Sequence, residues 1–142
     1  MRNFIKVLFL IGGLLEASNA LANIEFNLTV YNNSSKDYRL EQGRSQCAGV
    51  KGSGTINIKI NKRGVTNIPF VIVQGGWCAL ESTFADLKLS DYNAPADKIT
   101  KIRFARSWRI QTGSVENELV IESDPNQVFS TISYNKISIK GQ

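Results

Sequence analysis

The sequence predicts an all-β protein, a single antiparallel β-sandwich of seven to nine short strands with one disulfide, or a closed barrel as the alternative closure. Apolar and polar residues alternate along much of the chain, and turn-forming residues recur at regular spacing. No segment shows the apolar period of a long helix. The chain has two cysteines, Cys47 and Cys78, which are the candidate disulfide partners.

Residues 1–22 are predicted to be a cleaved secretory signal peptide. Arg2 and Lys6 precede an apolar run, and small residues follow it up to Ala22, which is the usual order of such a signal. The run is too short to span a bilayer, although an uncleaved anchor remains the alternative. We expect cleavage after Ala22 or two residues earlier, leaving residues 23–142 as one secreted or periplasmic domain.

Export also predicts the state of the cysteines. An oxidising compartment favours a disulfide between Cys47 and Cys78, because neither has another partner in the chain. Two isolated thiols cannot complete a structural zinc site, and the chain contains no histidine. We therefore expect no metal and no cofactor.

Four strands are predicted in the first half of the domain, at 24–30, 38–40, 56–60 and 65–73. The polar, glycine-rich stretch 42–54 is expected to be a flexible connection, and 61–64 a turn. Pro69 lies inside the fourth strand and cannot donate a ladder hydrogen bond. That strand should therefore be an edge strand or carry a bulge at Pro69.

The second half contains the clearest local signal, a hairpin from Lys101 to Asp124. Before it, 79–89 fits a helix or a strand, with strand preferred, and 90–98 reads as a loop. After it, 128–139 forms a last strand pair or one bulged strand. A two-residue turn at Thr112-Gly113 would place Ile110 opposite Val115, Phe104 opposite Ile121, Arg109 opposite Glu116 and Arg103 opposite Glu122.

Charge and the missing histidine restrict the possible functions. The chain has 17 Lys and Arg against 12 Asp and Glu; without Arg2, Lys6 and Glu16 of the leader the counts are 15 and 11. This mild excess favours acidic proteins or anionic membrane surfaces as partners, and it is too small and dispersed for nucleic acid. Without histidine, the usual nucleophile and acid–base systems are lost, and carboxylate-pair glycoside hydrolysis or lysine chemistry remains. The enzyme hypothesis is therefore a small secreted hydrolase using carboxylates.

The candidate binding residues are Lys51, Tyr92, Lys101, Arg103, Arg106, Trp108 and Arg109. Lys51 lies among glycines that could cradle an anion, but their spacing is not that of a phosphate-binding loop. The cations of the hairpin could contact lipid headgroups or an acidic protein, or could simply pair with the acidic neighbouring strand. Arg106 interrupts an apolar pattern, so it is turned outward by a bulge, lies at an interface or is paired inside.

The opening strand and the polar turn Tyr31-Asn32-Asn33-Ser34-Ser35 resemble the start of small membrane-binding sandwiches such as aegerolysins and actinoporins. This resemblance implies a membrane-active protein, although the aromatic-rich lipid-contact cluster of those families is not evident in this sequence. We expect instead a non-catalytic binding domain that acts on a protein or envelope component, in one form as an inhibitor or immunity-type protein. Membrane binding is the alternative, and a hydrolase is the third hypothesis.

Overall fold

Alternating apolar residues build two facing sheets of five strands each within residues 23–52, 57–79, 81–95 and 98–142, which the computed structural model describes. The predicted leader at 1–22, residues 53–56, residue 80 and residues 96–97 lie outside the described residues. The strands are β1 (Ile24–Asn32), β2 (Tyr38–Gln46), β3 (Ala48–Val50), β4 (Asn57–Ile60), β5 (Gly64–Ile72), β6 (Thr83–Asp91), β7 (Thr100–Arg109), β8 (Ser114–Ser123), β9 (Phe129–Ser133) and β10 (Lys136–Ile139).

The sheets pack as a sandwich and do not close into a barrel, which confirms the predicted fold class. The described residues form ten strands, one more than the upper end of the predicted seven to nine, because the stretch expected to be a connection contributes β3. The first sheet has the order β3-β5-β1-β10-β9 and the second has the order β4-β2-β6-β7-β8. All pairings are antiparallel except that of β1 with β10, which is parallel. Between the sheets, the rings of Phe70 and Phe104 pack with their centroids 5.1 Å apart. The described residues include no helix long and apolar enough to cross a membrane.

The predicted disulfide between Cys47 and Cys78 is present. Cys47 lies between β2 and β3, and Cys78 lies in a short 3₁₀ helix (Gly76–Ala79) between β5 and β6. The bond therefore attaches the connection between β5 and β6, which joins the two sheets, to the junction of β2 and β3. A disulfide is compatible with an extracellular or periplasmic location.

The expectation of a loop through 42–54 is wrong for its first part. β2 continues to Gln46 across a register shift between Gln42 and Ser45, and β3 follows Cys47 directly. The amide oxygen of Gln42 accepts a hydrogen bond from the backbone N–H of Val50 at 2.7 Å, which holds the two strands together. The sequence signal fails because a bulge breaks the two-residue period and polar residues fill the strand.

The expectation of an edge strand or bulge at Pro69 is also wrong. β5 lies between β3 and β1, and its register with β1 is unbroken from Ile72 to Gly64. The carbonyl of Pro69 accepts the N–H of Lys51 at 2.7 Å, so the backbone polar groups of Pro69 point toward the β3 side. β3 ends at Val50, and the missing proline N–H therefore removes no ladder bond.

The other elements follow the prediction closely. The segment expected as a strand before the second loop is β6, and the last segment is a pair of strands, β9 and β10. The polar turn after β1 is organised by the buried side chain of Asn32. Its amide nitrogen donates to the carbonyls of Lys36 at 2.8 Å and Asn61 at 3.1 Å, and its oxygen accepts from the hydroxyl of Ser34 at 2.7 Å.

The hairpin is present, but its predicted register is wrong by two residues. Arg109 pairs with Ser114, and residues 110–113 form a four-residue turn in which Gly113 N donates to Arg109 O at 2.8 Å. A two-residue turn would require a positive φ at Thr112, which a β-branched side chain disfavours; only Gly113 has one, at 62°. Because the shift is even, every side chain keeps its predicted face, and Arg109 Nε still contacts Glu116 at 2.8 Å across the diagonal.

Candidate functional site

The hairpin extends beyond the facing sheet at one end of the sandwich and leaves a cleft there. The ring of Phe104 packs on Phe70, but the later core-facing residues of β7, Arg106 and Trp108, meet the loop after β5 instead of a strand. The cleft has a volume of about 430 Å³. Its lining residues are Ile72, Val73, Gln74, Cys78, Ala79, Glu81, Thr83, Arg106, Ser107, Trp108 and Val115.

Large apolar side chains are exposed in the cleft wall, at Trp108 and Val115, and at Ile110 and Trp77, which lie close in the chain to lining residues. Trp108 is 62% exposed, Ile110 at the tip of the turn is 88% exposed, and Val115 opposite Trp108 is also exposed. Trp77, next to the disulfide in the 3₁₀ helix, is 79% exposed. We call Trp77, Arg106, Trp108, Ile110 and Val115 the hairpin-end surface. Scattered single apolar residues are ordinary on a protein surface, but several at one end beside a cleft are typical of an interaction site.

Arg106 points into the cleft, which accounts for its place in an apolar pattern. No register shift occurs between Ile102 and Arg109, so a bulge does not turn Arg106 outward. Its cross-strand neighbour Asn117 has a buried side-chain oxygen with no hydrogen-bond partner among the described residues. Glu81 also lines the cleft, so its charged lining consists of one cation and one anion.

Two other cations of the hairpin, Arg103 and Arg109, lie on the outer face of the second sheet, away from the cleft. Arg103 donates to both carboxylate oxygens of Asp86, at 2.6 and 3.0 Å, and contacts Glu122 at 3.3 Å. Arg109 contacts Glu116 at 2.8 Å and Glu118 at 3.6 Å. These contacts fit the hypothesis that the cations pair with acidic neighbouring strands.

The ion pair between Arg103 and Asp86 shifts the pKa values of both groups. The hydrogen bonds from Arg103 lower the pKa of Asp86 from its ordinary value, against the opposing effect of burial. The same contact raises the pKa of Arg103. Both groups are therefore held in their charged forms, and the guanidinium also lies 4.7 Å from the centroid of the Phe84 ring.

The structure does not bring the remaining candidate residues to the hairpin-end surface. Lys51 contacts Glu25 at 2.9 Å on the first sheet. Tyr92 lies beyond the other end of β6, where the cations of Arg39 and Lys59 are 5.0 and 4.7 Å from its ring centroid. Strand geometry alone separates the two ends of the sheet by roughly 26 Å over eight residues of β7. Lys101 is exposed on the outer face near that far end.

A larger cleft of about 770 Å³ lies at the far end, where Lys36, Lys98 and Lys140 contribute to the wall. Lys36 contacts Asp91 at 3.9 Å, and none of the exposed large apolar side chains of the described residues lines this cleft. Within the described part of the chain, no group of three Cys, Asp or Glu side chains is placed to hold a metal ion. The hairpin-end surface is therefore the candidate with the most distinctive chemistry.

Sequence reasoning identified Trp108 and Arg106 but missed Trp77 and the cleft. Nothing in the local sequence pattern around Trp77 indicates its exposure. Ile110 was expected to pair with Val115 and lies in the turn instead. Comparisons with protein-family models, curated proteins and solved structures found no match to this chain.

Proposed function

We propose that this chain is an exported, secreted or periplasmic, non-catalytic domain that binds another protein or a protein component of the envelope through its hairpin-end surface. The observation that carries the proposal is the exposure of Trp108 on the cleft wall, together with that of Ile110, two residues further on in the turn, and of Trp77, next to the lining residue Cys78. Tryptophan and arginine dominate the binding energy of protein interfaces, because they bury large areas and also offer polar groups. Arg106 and Glu81 supply charged groups in the lining of the cleft.

A protein partner fits this surface better than a lipid bilayer does. Membrane-binding surfaces combine aromatic residues with cations that contact anionic headgroups. Here the cation on the Trp108 face of β7 is Arg106, and Glu81 lines the same cleft. Arg103 and Arg109 lie on the opposite face of the strand, and acidic residues accompany both of them. An inhibitor or immunity-type role, in which the hairpin end enters a partner's site, is one form of the proposal.

A binding role also agrees with the limited catalytic inventory. The chain contains no histidine, and its two cysteines are joined in the disulfide. The pKa values of the Asp37 and Asp86 carboxylates are both lowered, mainly by hydrogen bonds from the Lys62 backbone and from Arg103, so both are held ionised and are better suited to structure than to proton transfer.

Site-specific photo-crosslinking in the exported protein tests the proposal. Benzoylphenylalanine would replace Ile110 at the hairpin tip and, as a matched control, Val65, which is 58% exposed near the start of β5 at the other end of the sandwich. We expect a defined protein adduct from position 110 and none from position 65. Adducts with lipid alone at position 110, or the same protein adduct from both positions, would contradict the proposal.

A further inference from the structure

We propose that the edge of β8 accepts an extended basic segment of a partner protein as an added strand. This inference deepens the proposed function, on which it rests, because β8 adjoins the hairpin-end surface through Val115. The added segment would continue the second sheet beyond β8 and form backbone hydrogen bonds along it.

β8 differs from the other sheet edges. In the described part of the chain the outer strands are β3, β4, β8 and β9, and the three others have three, four and five residues, whereas β8 has ten. Proteins usually protect edges by keeping them short or by placing lysine, proline or a bulge in them. β8 contains no lysine, arginine, proline or glycine, and its one register shift lies beyond Ile121.

Apolar residues are exposed on both faces of this strand. Val115 and Ile121 lie on the core-facing side and Val120 lies on the outer side, and each is between 42% and 45% exposed. An ordinary edge strand of a sandwich buries one face and presents polar residues on the other. A strand added beside β8 would cover apolar side chains on both faces.

The glutamates of β8 indicate which kind of strand would pair with its edge. The outer face of β8 carries Glu116, Glu118 and Glu122, which Arg103 and Arg109 contact from the β7 side. An added strand with lysine or arginine at alternate positions would place cations opposite the same carboxylates from the other side. A second copy is disfavoured. In an antiparallel β8–β8 pair that keeps outer faces together and is centred anywhere from Glu116 to Val120, at least one glutamate faces another.

Hydrogen exchange measured by NMR on the mature protein tests the proposal with synthetic peptides as probes. The probe is Lys-Val-Lys-Ile-Lys-Val-Lys-Ile, and the controls are the same alternation with glutamate in place of lysine and a lysine peptide N-methylated at every amide, which leaves no N–H group on either edge. Because alternate amides of an edge strand point outward, the probe should slow exchange at every second residue of 114–121, by roughly tenfold at saturation. Neither control peptide should do so.

A charge-reversed protein provides the second readout. Glu116→Lys with Glu118→Lys should exchange the preference, so that the glutamate peptide protects β8 and the lysine peptide does not. Glu41→Lys on β2 is the matched control and should leave the preference unchanged. A circular dichroism spectrum and unfolding midpoint near wild type establish that the variants fold.

Four results would overturn the inference: no alternating protection with the lysine peptide, equal protection by both charge versions, protection by the N-methylated peptide, or alternating protection without peptide that increases with protein concentration. The last would identify a second copy as the occupant. These failures are separable from failure of the proposed function, because crosslinking at position 110 to a partner can succeed while β8 exchange stays unchanged.

Discussion

Removing the disulfide should cost a large and calculable part of the stability of this domain. Cys47 and Cys78 are 31 residues apart, and the chain-entropy relation for a loop of that length gives about 3.7 kcal/mol at 25 °C. A domain of this size has a free energy of unfolding on the order of 6–15 kcal/mol, so the reduced protein should still fold. The Cys47→Ser, Cys78→Ser double variant is therefore expected to be folded but less stable by about 3–4 kcal/mol.

Urea unfolding of the wild type and the variants measures this loss. Each single serine variant breaks the same bond, so each should be about as destabilised as the double variant, and the effects should not add. A loss below about 1 kcal/mol would refute the loop-entropy reasoning. Equal additive losses from the two single variants would show instead that the cysteines act through packing.

Three further predictions concern the polar groups of the two sheets. Asn32→Ala should lower the free energy of unfolding by about 2–4 kcal/mol, because it leaves several buried hydrogen-bonding groups unsatisfied; a loss below about 1 kcal/mol in urea unfolding would contradict this. A double-mutant cycle on Arg109→Glu and Glu116→Arg should give a coupling of only about 0.2–1 kcal/mol, since both side chains are half exposed, and no coupling would count against the diagonal pair. The lowered pKa of Asp86 means that its pair with Arg103 stabilises the fold above the ordinary pKa of 3.8 and loses that effect as the pH falls through the lower folded value. Asp86→Asn should therefore flatten the stability profile below about pH 4, and an unchanged profile would exclude this contribution.

The hairpin shows how far sequence reasoning reached. Alternation assigned each side chain of β7 and β8 to the correct face, because that assignment depends only on the two-residue period. The register failed because it depends on the turn, and the φ preference of one β-branched residue, Thr112, favours the four-residue form. An even shift preserved the charge pairing, so the contact between Arg109 and Glu116 was predicted for partly the wrong reason.

β2 and β3 contain segments that form strands although their local sequence pattern does not indicate it. β2 beyond Leu40 and all of β3 contain mostly polar or small residues, and they are strands because β6 and β5 pair with them. Pro69 likewise tolerates a central strand only because β3 stops at Val50. Such outcomes depend on the lengths of neighbouring strands, which the sequence does not indicate locally.

The candidate site was predicted in part. Arg106 was identified because a cation interrupts an apolar period, and Trp108 because an amphipathic aromatic residue lies near the basic residues of the hairpin. The cleft beside them depends on where the facing sheet ends and on how the disulfide places Trp77, and both are properties of the tertiary structure. The basic candidate residues are distributed over both sheets and both ends of the sandwich, and no local pattern in the sequence indicates this distribution.

The most direct test of the central claim is the affinity of the partner captured at position 110 for the Trp108→Ala variant, measured by isothermal titration calorimetry. Val65→Ala is the control, because it also truncates an exposed apolar side chain, at the other end of the sandwich. If the hairpin-end surface binds the partner, Trp108→Ala should raise the Kd by about 30-fold or more, the effect of losing a central interface residue, while Val65→Ala leaves it unchanged. An unchanged Kd for a folded Trp108→Ala variant would contradict the account.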